Sequence, residues 1–320
     1  MKFSELKLQL NRPSFLEETP AFVIEGEDAF LRESALNMIR KKADVPLPEW
    51  NEAFFSEEQS FADVLLACEV LPVLSKKRLV IGKDIKADAK SKSLWEDYLR
   101  QPVKETLLIF VNSSATEMPK WKGLTWIDCA GLDEVVIEKW IVNECRKAEK
   151  RIAWSDAKRL SEYCRQDMTR ISTEVQKLCA IPAEEITQEW IETLVNKDAE
   201  YRVFELTNAI AAKNTAEAFA ILKNLTERGE DPIFLMGTIY SSFRRMFYVI
   251  ASDLSLKELS ALLKVKEYAI VKARETAQGF RAVKLKRALD LCAEADENCK
   301  TGVWKAQTAL NVLVMKLLNL

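Results

Sequence analysis

Ile24-Glu25-Gly26-Glu27-Asp28-Ala29-Phe30-Leu31 continues the apolar run 22–24 and opens a stretch of helical period over residues 28–41. An apolar run feeding a short glycine-containing turn and then a helix is the opening step of an α/β domain. Farther along the chain, 79–81 and 107–111 are also continuous apolar runs, the pattern of strands covered on both faces, and 52–55 and 124–127 are weaker strand candidates. Helical stretches lie between them at 60–70, where Ser60 and Asp63 form a capping-box pattern, and at 90–99. The alternation predicts an α/β domain with a mostly parallel sheet over residues 1–132.

From Asp133 onward the apolar period is helical. Val136, Ile137, Trp140, Ile141 and Cys145 share one face, and Met168, Ile171, Val175 and Leu178 repeat at steps of three and four, which predicts a small helical domain over 133–200. A longer all-helical domain is expected over 201–320. It contains helices at 201–212 and 216–228, then one opened by Asp231 and Pro232, a favoured N-cap and first-turn pair. The stripe Met236, Ile239, Tyr240, Phe243, Phe247 and Ile250 on that helix is broad enough to be buried against several neighbours. Ser255 and Glu258 box the next helix, and helices at 281–299 and 304–318 close the chain. Three domains suit a length of 320 residues, more than one ordinary core supports.

Composition excludes several classes. Hydrophobic residues at 48% and charged residues at 30%, with 8 Gly and 9 Pro, describe a folded, helix-rich chain and not a disordered one. The longest apolar runs are far short of the roughly 20 residues of a spanning helix. The first ten residues alternate charge with apolar side chains and lack a signal peptide's apolar core. The expected location is therefore cytoplasmic, with no membrane partner. The cysteines stand at 68, 129, 145, 164, 179, 292 and 299, spacings that fit neither CxxC chemistry nor a zinc ribbon, so reduced, mostly buried thiols are expected. There is no histidine, which removes the triad hydrolases, the HExxH metalloproteases and the facial-triad iron enzymes. A net charge of -2 argues against a protein that coats nucleic acid by itself.

The turn after the first strand is where an α/β fold holds phosphate. A P-loop needs GxxxxGK[ST], and no two glycines here have that spacing with a following lysine. Glu25, Glu27 and Asp28 would also repel a triphosphate. No nucleotide, metal or other cofactor is expected, and no catalysis by the P-loop route. The acids near the ends of the expected strands, Glu25, Glu27, Asp28, Asp84 and Asp128, admit a second reading as a magnesium site of a nuclease or phosphatase. Loop polarity and helix capping explain the same residues, Asp28 standing directly before a helix. A third reading takes Leu256-Lys257-Glu258-Leu259-Ser260-Ala261-Leu262-Leu263-Lys264-Val265, followed by Lys266, Lys272 and Arg274, as a DNA-binding helix-turn-helix. Two bundle helices with solvated lysines are the simpler account.

Val70-Leu71-Pro72-Val73-Leu74-Ser75-Lys76-Lys77-Arg78 carries the most weight. Four apolar residues broken by Pro72 and followed by three basic ones make an unusual connection between a capped helix and a buried strand. Connections run over the surface, because buried ones leave backbone groups unpaired. An exposed apolar tip with a charged rim has the form of a protein-binding wedge. The sequence alone fits Leu71 and Val73 completing the core just as well.

With these residues in view, the chain resembles the delta subunits of bacterial DNA polymerase III clamp loaders. The resemblance rests on 24–31; on Leu71-Pro72-Val73-Leu74-Ser75 running into Lys77-Arg78-Leu79-Val80; on Asp167-Met168 and Glu174-Val175-Gln176-Lys177-Leu178; on 202–210 with Gly229-Glu230-Asp231-Pro232; and on Ala295-Asp296 with Lys300-Thr301-Gly302. It implies an AAA+-like first domain with a decayed nucleotide site, a small helical lid domain and a helical collar domain. It also implies a protein that binds the sliding clamp and favours its open form without hydrolysing ATP, as part of a DNA-directed DNA polymerase holoenzyme acting on primed DNA. The implied partners are the clamp and, through the collar, loader subunits of the ATP-binding gamma/tau type and the delta-prime type. Carried over, the clamp-binding residues are Leu71, Pro72, Val73 and Leu74. The family often places an aromatic in this loop, where this chain has Val73 beside Leu74. The zinc-binding cysteine cluster usual in the ATP-binding and delta-prime subunits has no counterpart here, which favours delta.

Overall fold

Five strands form where apolar runs were expected: β1 (Ala21–Glu25), β2 (Glu52–Phe55), β3 (Arg78–Lys83), β4 (Thr106–Asn112) and β5 (Leu124–Asp128). They make one sheet in the order β2-β3-β4-β1-β5, and every pairing is parallel. This computed structural model describes residues 1–19, 21–113 and 118–320, which divide into two units, 1–195 and 196–320. All seven residues of β4 are buried, as are the central residues of β1 and β3, which is why these strands read as unbroken apolar runs. Val23, Val80, Leu108 and Phe110 point to a layer containing Phe61, Val64, Cys68 and Trp95, from helices Phe61–Cys68 and Ala89–Arg100. The alternate residues Phe22, Ile24, Leu79, Ile81 and Ile109 serve the opposite face.

The order places β1 inside the sheet, between β4 and the edge strand β5, so the turn after it opens at the carboxyl end of the sheet, where ligands of such folds bind. Helix Ala29–Ala43 leaves that turn and packs against β1 and β4. Helix Phe61–Cys68 has the expected Ser60/Asp63 box but ends two residues before the apolar pattern does. Pro72 disfavours helical conformation just ahead of it, and the Cys68 carbonyl accepts a 2.9 Å hydrogen bond from the Thr106 hydroxyl.

Beyond the sheet, the first unit continues with helices Glu134–Lys147, Trp154–Tyr163, Met168–Cys179 and Gln188–Leu194. Ile137, Ile141, Cys145, Met168, Ile171, Val175 and Leu178 are buried, as their spacing requires. A two-residue parallel pair, β6 (Arg151–Ile152) with β7 (Glu185–Ile186), interrupts a region whose apolar period reads as helix almost throughout. Lys150 steadies that crossing by donating to the carbonyls of Ile181 and Ala183, each at 2.8 Å.

The second unit is helical throughout its described elements, Ala199–Ala211, Thr215–Glu227, Pro232–Ala251, Leu256–Leu263, Glu267–Ala277, Ala282–Lys300 and Ala306–Leu318. Asp231 caps its helix through the Ile233 amide at 2.9 Å, and the Ser255/Glu258 box is formed. Met236, Ile239 and Phe243 are buried together with Met246, but Tyr240 and Ile250 are exposed, against the expectation for the whole stripe. Tyr240 stands at the edge of the arc set by 239, 243 and 246, and Ile250 falls in the last turn of the helix. Helices Leu256–Leu263 and Glu267–Ala277 pack on the long helix through Leu259, Ile270, Ala273 and Ala277, as members of a bundle. The helix-turn-helix reading finds no support in that packing.

Among the described residues no helix is long and apolar enough to cross a membrane. Five of the seven cysteines are buried and the other two half-buried. Burial pushes the thiols of Cys68, Cys129, Cys145 and Cys292 up to about 12, which keeps them protonated and unreactive at neutral pH.

A closed phosphate turn and an exposed apolar loop

The turn after β1 is stitched to the segment after β5. The Cys129 amide donates to the Glu25 carbonyl at 2.7 Å, and the Asp28 amide donates to the Cys129 carbonyl at 3.1 Å. Gly26 has φ +151°, and a Cβ there would lie 2.1 Å from the Cys129 carbonyl carbon. Glycine is needed here for close approach of one backbone to another, not for approach to a ligand. The Gly26 carbonyl also accepts a hydrogen bond from the Arg32 guanidinium.

The carboxylates around this turn serve the backbone. Asp28 accepts from the Leu31 amide at 3.1 Å, capping the helix that a phosphate would otherwise cap. Asp84 accepts from both the amide and the hydroxyl of Ser113 at 2.7 Å, and Asp128 accepts from the Ala130 amide at 2.9 Å. Glu27 is exposed. Among the described residues no group of three or more His, Cys, Asp or Glu side chains is placed to hold a metal ion, so the magnesium reading gains nothing from the fold. Asp28→Ala is expected to lower stability by about 1 kcal/mol, the usual effect of losing an N-cap, as read by urea denaturation.

At the other end of the sheet the loop 71–77 runs without regular structure into β3. Leu71 is 66% exposed, Val73 42% and Leu74 88%, while Pro72 is half-buried. The core therefore does not take up Leu71 or Val73. Leu74 has φ +51°, a left-handed conformation that costs a non-glycine residue about 1–3 kcal/mol and persists only where its surroundings hold it.

What imposes it is hydrogen bonding at the base of the loop. The fully buried Asn51 side chain accepts from the Val73 amide at 2.7 Å and donates to the Val73 carbonyl at 2.9 Å and to the Pro46 carbonyl at 2.8 Å. Ser75 donates its hydroxyl to the Lys77 carbonyl at 2.7 Å. The basic residues divide their duties. Lys76 is exposed, whereas Lys77 donates to the Lys104 carbonyl and Arg78 to the Trp50 carbonyl, both at 2.7 Å. The charged rim expected from Lys76, Lys77 and Arg78 is thus in part a set of struts under the loop.

The sequence singles out Leu71, Pro72, Val73 and Leu74 as the loop, but gives no sign of Asn51, which holds it, or of the exposed Leu47 and Trp50 beside Asn51. A lone Asn 22 residues upstream of its partner gives no periodic signal. The one local sign is Leu47-Pro48, with Pro48 at the first position of the short helix Pro48–Asn51.

The arrangement agrees with comparisons to known proteins. A curated relative, the DNA polymerase III subunit delta of Bacillus subtilis (strain 168), is 25% identical over 327 residues, covering 95% of this chain and 94% of its own. A solved structure titled as the Bacillus subtilis DNA clamp loader delta protein (YqeN) has the same fold, with a TM-score of 0.73 at 22% identity over 99% of this chain and 100% of that one. The model of DNA polymerase III, delta subunit, matches residues 22–125, taking in the closed turn and the apolar loop, and the model of that subunit's C-terminal domain matches residues 200–317. Matched in both its sheet and its helical unit, the chain belongs to the DNA polymerase III delta-subunit family.

Proposed function

We propose that this chain binds and opens the sliding clamp as the delta subunit of a clamp loader, pressing residues 71–74 into an apolar site on the ring. The observation that carries this reading is the loop itself: Leu71, Val73 and Leu74 stand in solvent on a base of buried hydrogen bonds. Burying three aliphatic side chains at roughly 1.5–3 kcal/mol each supplies enough energy for a hot spot. Exposed Lys76 contributes mainly to association rate and orientation.

The subunit acts without catalysis of its own, within the polymerase holoenzyme, in the cytoplasm and on primed DNA. Its first domain, 1–132, engages the clamp; 133–200 is the lid-like domain; and 201–320 joins the collar with the ATP-binding and delta-prime subunits. The stitched turn at Gly26 supports the expectation that ATP binds those partners and not this chain. ATP with magnesium is expected to leave the melting temperature of the isolated protein unchanged, because a ligand that binds the native state raises it. A clear rise overturns that part of the reading. Gel filtration of the chain with a bacterial sliding clamp tests the whole: co-elution is expected, and separate elution at micromolar concentrations removes the proposal.

A further inference from the structure

We infer that the turn 47–51 is a second element of the same docking face, in which Leu47 and Trp50 contact the clamp beside loop 71–74 and Asn51 fixes the two elements against each other. The inference rests on the reading that loop 71–74 engages the clamp.

Two segments far apart in sequence are joined here by side chains. Asn51 bonds both backbone groups of Val73, and the Arg78 guanidinium closes a second link to the Trp50 carbonyl. The turn is fixed from its other side as well. Strand β2 begins at Glu52, whose buried carboxylate takes a paired contact from Arg40, Nη2 at 2.6 Å and Nε at 3.3 Å. Register then carries the turn to the loop's exit, since Glu52 pairs with Leu79 across β2 and β3. Turn and loop therefore form one platform.

That platform displays apolar surface on both parts. Trp50 is 62% exposed although it sits next to a fully buried Asn51, and Leu47 is exposed with φ +52°. A left-handed leucine thus occurs in each element, at Leu47 and at Leu74. Tryptophan is the side chain most enriched among interface hot spots, and a patch continuous with a binding loop is covered when the loop is. Asn51 is a positioning residue: it holds the Val73 backbone ready before the partner arrives, which spares the complex the cost of ordering the loop.

The test measures affinity for a bacterial sliding clamp by surface plasmon resonance for wild type, Trp50→Ala, Asn51→Leu and Leu74→Asp. Trp50→Ala is expected to weaken binding on the order of tenfold with an unchanged melting temperature. Asn51→Leu, with the same number of side-chain heavy atoms and the same branching but unable to hydrogen-bond, is expected to slow association and to speed amide hydrogen exchange at Val73, a change that a general loss of stability would not confine to that loop. If Leu74→Asp abolishes binding while Trp50→Ala stays within about twofold of wild type, the inference is overturned and the proposed function stands. If all three variants bind like wild type, the proposed function falls and the inference with it.

Discussion

Leu74→Asp is expected to weaken clamp binding by more than about 100-fold while leaving the fold intact. Burying a leucine side chain contributes roughly 1.5–3 kcal/mol, and its replacement adds the cost of desolvating an unpaired carboxylate against an apolar site. At about 1.4 kcal/mol per factor of ten the two effects together exceed two decades. The fold is spared because the side chain is 88% exposed and touches no core. Aspartate also tolerates the left-handed backbone at this position better than leucine does. Surface plasmon resonance supplies the affinity, and circular dichroism shows whether the domain is still folded. A variant that binds within a factor of about two removes Leu74 from the interface.

The second large effect lies in the helical unit. Phe243 is fully buried on the helix Pro232–Ala251 and meets Phe280 edge to face, ring centroids 6.1 Å apart at 86°. Phe243→Ala is expected to lower the stability of that unit by about 3–5 kcal/mol, the transfer term of the ring plus the cavity it leaves. Urea denaturation measures the loss as a fall in midpoint. Clamp affinity under native conditions is expected to stay within about twofold, since loop 71–74 belongs to the other unit, which has a core of its own. A loss of under about 1 kcal/mol would mean that the site collapses around the deletion.

The sheet was legible because parallel strands buried on both faces leave unbroken apolar runs, and 22–24, 79–81 and 107–111 are such runs. Helix starts were legible where a side chain marks them, at Asp28, Ser60, Asp231 and Ser255. Helix ends were less so: the helix beginning at Phe61 stops at Cys68 because of Pro72 and a threonine on β4, and the second of these is visible only in three dimensions. The stripe on the long helix is buried over less of its width and length than its period suggests, because period tells which residues share a face and not how much of that face its neighbours cover. Tyr240 and Ile250 show the difference.

The proposed clamp-binding residues Leu71, Pro72, Val73 and Leu74 rest on the family resemblance and on an apolar run, and the exposure of the loop is beyond the sequence, which is equally compatible with core filling. Asn51 was out of reach for a different reason. Its role depends on a long-range contact with the Val73 backbone, and backbone partners leave no trace in residue identity. Trp50 and Leu47 read as ordinary apolar residues until the turn that carries them is joined to the loop. The negative conclusion at Gly26 was the reverse case: the missing lysine was plain in the sequence, and the structure adds that the backbone of Cys129 stands against the turn.

The left-handed backbone at Leu74 limits which greasy residues can replace it. Valine and isoleucine carry a branch at Cβ that collides with the main chain in this conformation, so they are the least tolerated there. Among hydrophobes, the tip is left with side chains that branch at Cγ or beyond, or not at all, such as leucine, methionine and phenylalanine. Drift at this spot should pass through those three, and the handedness of a single residue thereby narrows the alphabet of the whole contact.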